Sequence, residues 1–153
     1  MALQKIIQLD EIDQLIVAIL QDNADLNVKE IAEKVGLSTT PTYERIKRLE
    51  KNKVIKKYVA QIDERLLGFE LTVLCNVQIK EHSSQIIEDF ETQIITLPEV
   101  KACYHVAGNI DYLLKISIED MDTYSLFIKN KLSKIPCIDQ VQSSFVMRTL
   151  KEM

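Results

Sequence analysis

The sequence predicts an α+β chain in two parts: a helix-turn-helix of winged type over residues 1–63 and a ferredoxin-like βαββαβ unit over residues 70–153, with a hinge at 63–69. Three observations carry that expectation. Apolar residues recur at helical spacing three times before residue 52, with a glycine turn between the second and third runs. After Lys53 the period shortens to that of strands. Finally, Leu-Pro-Glu-Val at 97–100 is matched by Ile-Pro-Cys-Ile at 135–138, so a strand–helix–strand pattern occurs twice, 38 residues apart.

The first helix starts at Asp10, a natural cap, and carries Ile12, Leu15, Ile16, Ile19 and Leu20 as one apolar stripe. The second starts at Asn27, with Glu30 three residues on in a capping-box arrangement, and turns Ile31, Ala32 and Val35 inward. Gly36 suits the left-handed residue that closes it. Ser38 is the next cap, and Pro41 falls in the first turn of a third helix running to about Asn52, where a missing N–H costs little. On that helix Thr42, Ile46 and Leu49 face inward. Thr40, Glu44, Lys47, Arg48 and Lys51 face outward, with Tyr43 and Arg45 on the flanks.

Residues 54–62 read as a short strand. Beyond the hinge, strands are expected at 71–80, 100–107, 110–118 and 138–147, and helices at 84–97 and 121–135. Two such units in series give a four-stranded sheet with both helices on one face.

Composition narrows the function classes. The longest uninterrupted apolar run is six residues, from Leu15 to Leu20, against about 20 for a bilayer span, so no membrane helix is expected. The chain opens without a basic segment followed by an apolar one, so no secretory signal is expected. Cys75, Cys103 and Cys137 are odd in number and far apart, which suits reduced thiols in a cytoplasm. The three glycines are scattered, so no phosphate-cradling loop is expected.

Charge is unevenly spread. Between Asp10 and Glu33 seven acidic residues face Lys29 alone, whereas between Arg45 and Lys57 seven basic residues face Glu50 alone. Basic runs are often only solvated helix faces. Here the run lies on the second helix of a helix-turn-helix, whose N-terminal half enters the major groove of duplex DNA. Thr40 and Glu44 are therefore expected at base edges and Tyr43 at a thymine methyl. Lys47, Arg48 and Lys51 are expected on phosphates, and the N–H groups behind Ser38 and Thr39 are further phosphate donors. Arg45 has two open roles, a phosphate clamp or a partner for an acidic residue of the first helix.

With these elements in place the chain resembles the Lrp/AsnC, or feast/famine, family of transcription regulators along nearly its whole length. The carriers are Leu9-Asp10-Glu11-Ile12-Asp13, the run from Ile31 to Ser38, Glu44-Arg45-Ile46-Lys47-Arg48-Leu49-Glu50, and Val54-Ile55-Lys56-Lys57-Tyr58. Leu67-Gly68, Leu97-Pro98-Glu99-Val100 and the run from Gly108 to Leu114 complete the pattern. The resemblance implies a sequence-specific regulator acting on double-stranded DNA as a nucleoid-associated cytoplasmic protein. It implies homodimers that assemble into tetramers or octamers, and an amino-acid effector bound between subunits of the C-terminal domain. It places that effector around Gly108, Asn109 and Asp111, with Tyr104, Met121, Ser144, Phe145 and Val146 as further contacts.

Asp111 beside a Gly-Asn turn offers an acceptor for an ammonium group, and backbone N–H groups near Gly108 offer donors for a carboxylate. Asp111 in such a place also commonly does no more than tighten a hairpin.

Three other readings stand beside this one. A DNA-architectural protein indifferent to small molecules would share the whole N-terminal half. A metal sensor has only Cys103 and His105 on one strand and a distant His82, short of a ligand set, so no metal or resident cofactor is expected. An enzyme lacks a nucleophile elbow, a P-loop or a zincin motif, so catalysis is not expected.

Overall fold

Asp10 accepts the backbone N–H of Asp13 at 2.8 Å, supplying a partner that a helix's first turn lacks. The helix it caps, α1 (Glu11–Asp22), opens the fold in the computed structural model, which describes residues 7–151. Its inner face differs from the expected stripe. Ile16 and Leu20 are buried, but so is Asp13 at 2% exposure, while Leu15 is 44% exposed. Residues 13, 16 and 20 lie on one helical line, so the buried face is centred there, and a carboxylate occupies its first position.

In α2 (Val28–Val35) both halves of the capping box are made. Asn27 accepts the N–H groups of Lys29 and Glu30, and donates its own N–H to Glu30 Oε2 at 2.8 Å. Gly36 ends the helix at φ +70°, a left-handed conformation that a side chain disfavours. α3 (Thr39–Lys51) follows after a three-residue link and buries Thr42, Ile46 and Leu49. Ser38 holds the cap position but makes no side-chain cap bond; its carbonyl instead accepts the Thr42 hydroxyl at 3.0 Å. The three helices close on Ile16, Leu20, Ile31, Ile46 and Leu49.

The expected strand at 54–62 does not form among the described residues. Val54 and Ile55 pack on the three-helix core, and residues 56–62 are exposed. A strand is stable only when its N–H and C=O groups find a neighbour, and no sheet partner for this stretch is present among the described residues.

The chain divides into two compact units between Gln61 and Ile62. In the second unit, residues 63–69 contain a 3-10 turn, Glu64–Leu67, whose Glu64 carboxylate accepts the Ser117 hydroxyl. Then come β1 (Leu71–Ile79), α4 (Ser84–Ile94), β2 (Val100–His105), β3 (Tyr112–Ile118), α5 (Met121–Asn130) and β4 (Ile138–Phe145). The strands pair antiparallel throughout in the order β2-β3-β1-β4, which is the ferredoxin-like arrangement expected of two strand–helix–strand units.

Period-2 alternation sends Val73, Cys75, Val77 and Ile79 of β1 and Tyr112, Leu114, Ile116 and Ile118 of β3 to one face. There they meet Phe90 and Ile94 of α4 and Tyr124 and Phe127 of α5. The last helix is shorter than the expected 121–135. It stops at Asn130, and a separate 3-10 turn, Leu132–Lys134, leads into an extended Ile135. Pro136 accounts for the extended Ile135, because the residue before a proline is pushed out of the helical region. No helix among the described residues is long and apolar enough to cross a membrane.

Candidate functional site

Two groups of residues concern function, one in each unit. In the first, Ser38, Thr39, Thr40, Tyr43, Glu44, Lys47, Arg48 and Lys51 are all exposed along α3, and Arg45 is half-buried. With no side-chain cap from Ser38, the first-turn N–H groups of α3 remain donors at the positive end of the helix dipole.

The cations of this surface are not equivalent. Arg45 Nη1 lies 2.6 Å from Asp10 Oδ2 and 2.7 Å from Asp13 Oδ1, and Arg48 Nη2 lies 2.6 Å from Asp13 Oδ2. Of the two roles open for Arg45, the structure therefore shows the pairing with α1. Arg48, expected on phosphate, holds a carboxylate in this chain, although its side chain is 54% exposed. The Arg45 hydrogen bond, with that from the Asp13 N–H, holds the Asp10 carboxyl below the usual range, and the Asp10 and Asp13 carboxylates push Arg45 further up.

Lys47 bonds Glu50 Oε2 at 2.7 Å and lies 5.6 Å from the Tyr43 ring centroid, while the Tyr58 hydroxyl donates to Glu50 Oε1 at 3.0 Å. Lys47 is raised and Glu50 lowered chiefly by their mutual hydrogen bond. Lys51, Lys53, Lys56 and Lys57 make no ion pair among the described residues. The unmatched positive charge thus sits at the C-terminal end of α3 and just beyond it. The basic run announced Lys53, Lys56 and Lys57, but the helical wheel ended before them.

In the second unit, the turn between β2 and β3 is tied at three points. Val106 N–H bonds the Asp111 carbonyl at 2.9 Å, Asp111 N–H bonds the Val77 carbonyl at 3.0 Å, and Gln78 Nε2 donates to the Asn109 carbonyl at 2.5 Å. Both carboxylate oxygens of Asp111 have partners. Oδ2 accepts Ile79 N–H at 2.8 Å, and Oδ1 lies 2.7 Å from His82 Nε2. The Ile79 N–H first, and then His82, hold this carboxyl below the usual range. His82 lies 29 residues from Asp111 in sequence, and no local pattern signals their meeting.

The remaining expected effector contacts lie apart from that turn. Tyr104 pairs with Leu113, and Ser144 pairs with Leu74. By alternation both face away from the helices, but from the two outer strands of the sheet. Phe145 is on the helix side, its ring edge-to-face with that of Tyr124 at 5.3 Å between centroids, and Met121 is exposed at the start of α5. Val146 N–H bonds the Thr72 carbonyl, whereas Asp111 bonds the Val77 carbonyl, so the two ends are separated by about 17 Å along β1. One copy of the chain does not bring all eight residues into a single cavity. No cluster of three or more His, Cys, Asp or Glu among the described residues is placed to hold a metal ion.

A three-helix unit with a basic, exposed third helix, followed in one chain by an antiparallel ferredoxin-like sheet, defines a DNA-binding regulator with a separate ligand domain. The chain belongs to the Lrp/AsnC family. Residues 72–153 match the model of the Lrp/AsnC ligand binding domain, and residues 9–56 match a winged helix-turn-helix DNA-binding model. It is 34% identical over 143 residues to the Bkd operon transcriptional regulator of Pseudomonas aeruginosa, covering 94% of each chain. It is 35% identical over 144 residues to the leucine-responsive regulatory protein of Haemophilus influenzae, covering 94% of this chain and 87% of that one. Among solved structures it is similar to a transcriptional regulator from Neisseria meningitidis in complex with L-Met, with a TM-score of 0.90, 32% identity, and 95% and 94% of the two chains covered. The protein is accordingly a DNA-binding transcription regulator with a ligand-binding domain.

Proposed function

We propose that this regulator is gated by an amino acid held between copies of the chain. In this reading the Gly108–Asn109–Asp111 turn of one copy meets Met121, Ser144, Phe145 and Val146 of another, with Tyr104 on the adjoining sheet face. The carrying observation is the Asp111 carboxylate, kept ionised on a partly exposed turn by a backbone N–H. A zwitterion needs one such acceptor for its ammonium, N–H donors for its carboxylate and an apolar wall for its side chain. The acceptor and the apolar residues lie at opposite ends of one sheet, which supports completion by a second copy. The L-Met complex of the Neisseria relative supports the ligand class.

Homodimers, and tetramers or octamers built from them, follow from the same requirement and from the few contacts one helix makes with DNA. The protein acts as a regulator rather than an enzyme, without a resident cofactor, in the cytoplasm where its DNA is. One observation favours the architectural alternative: His82 and Ile79 already occupy both oxygens of Asp111.

Thermal unfolding against each of the twenty amino acids at millimolar concentration separates the two readings. A ligand at about 100 times its dissociation constant adds roughly 2.7 kcal/mol. The expected result is a shift by one chemical group of amino acids, lost in Asp111→Asn. No shift by any amino acid removes the gating and leaves the architectural reading.

A further inference from the structure

We propose that Asp13, with Asp10, is a positioning residue for DNA discrimination. The two carboxylates act as an internal stand-in for phosphate, holding Arg45 and Arg48 against α1 so that duplexes lacking the correct base edges cannot recruit them.

Asp13 is the one carboxylate among the described residues that is buried, and its two oxygens go to two different arginines of the recognition helix. Asp10 adds a second contact to Arg45 through Oδ2 while its Oδ1 caps α1. Both anions therefore sit in the first turn of α1, where the helix dipole favours negative charge. Arg45 and Arg48 are three residues apart on α3, so the clamp fixes the rotation of that helix about its own axis as well as its distance from α1. Rotation is what decides whether Thr40 and Glu44 meet base edges.

Carboxylate and phosphate compete for the same guanidinium donors. Arg45 is engaged by both carboxylates and half-buried. Arg48 has one partner, is more than half exposed, and lines an open cleft with Asp13 and Asn52. Releasing Arg48 therefore adds a cation that binds any duplex equally, and it also frees the helix to rotate. Both changes act against selectivity.

The test compares wild-type protein with Asp13→Asn and Asp10→Asn on two duplexes. One is selected from a random pool by the wild-type protein, and the other has the same length and base composition in scrambled order. Binding is measured by fluorescence anisotropy from about 50 to 200 mM salt, a range over which phosphate contacts change affinity strongly. For Asp13→Asn the scrambled duplex should bind more tightly, with a salt slope steeper by about one, while the selected-to-scrambled ratio falls about tenfold. Arg48→Ala placed on Asp13→Asn should remove the added slope. Asp10→Asn keeps a competent cap, because Asn caps as well as Asp, and should move the ratio the same way by less.

Equal weakening on both duplexes at an unchanged slope would mean that Asp13 only supports the fold, and the proposal would be overturned. An unchanged ratio overturns it as well. If Asp13→Asn does not fold, Asp10→Asn decides by the same two readouts.

Discussion

The two units place their functional residues in opposite ways. In the first, every expected DNA contact lies on α3 or its cap, thirteen residues and one more, and one wheel orders them. In the second, the expected effector contacts are spread over a turn, the start of α5 and two outer strands of a sheet. Their interiors differ too. The first unit buries a carboxylate under two arginines, while the second closes on apolar residues with a small polar cluster of Cys75, Tyr124 and Ser143 beneath the sheet. A surface that reads DNA can be laid out along one helix. A site that encloses a zwitterion needs walls, and walls come from elements far apart in sequence or from another copy.

The contrast can be broken most severely at the apolar core. Phe90 of α4 is fully buried against Tyr112 of β3, with ring centroids 4.4 Å apart. Phe90→Ala should cost about 3–5 kcal/mol in urea unfolding. A loss under about 1 kcal/mol would mean the second unit is not organised around that ring.

In the first unit, Gly36→Ala forces a side chain at φ +70°, and should cost about 1–2 kcal/mol by the same measurement. Nothing lies within 4 Å of the added Cβ, so the whole cost is conformational.

The cations of α3 differ in the charge left free to meet DNA. Lys51→Ala should weaken binding to all duplexes and make the salt slope shallower by about one unit. Arg48→Ala should change the slope by only a fraction of that, because Asp13 already matches its charge. Equal slopes for the two variants would show that the ion pair opens on DNA and that Arg48 reaches phosphate.

The smallest effect is a pH dependence at Asp111. Its folded carboxyl ionises more readily than an ordinary one, so the stabilisation is fully present above about pH 4 and fades as acid protonates the folded group. The stability difference between wild type and Asp111→Asn should shrink as pH falls through that range. A difference that grows there would contradict the assigned contacts.

Much of this fold was legible from spacing alone. The capping box at Asn27 and Glu30, the Gly36 stop and the strands over β1 and β3 are local patterns, and each formed where it was read. Three features were not legible. The stripe of α1 counted Leu15 inward and left Asp13 out, because the partners of Asp13, Arg45 and Arg48, lie 32 and 35 residues away and periodicity sees only neighbours. Residues 54–62 have strand-like composition, but composition supplies no hydrogen-bonding partner. The meeting of His82 and Asp111 depends on how the loop after β1 returns to the β2–β3 turn, which no short motif encodes.

Complementation tests the proposal that the effector site is completed between copies. Asp111→Asn and Met121→Asp disable opposite ends of the proposed site. Each variant alone should bind no L-Met or any other amino acid that shifts the wild-type unfolding curve. Refolded together, they should regain part of the wild-type binding in calorimetry, because mixed assemblies contain some sites with both ends intact. A mixture as silent as its parents, or a Met121→Asp protein that binds like wild type, would contradict a site shared between chains.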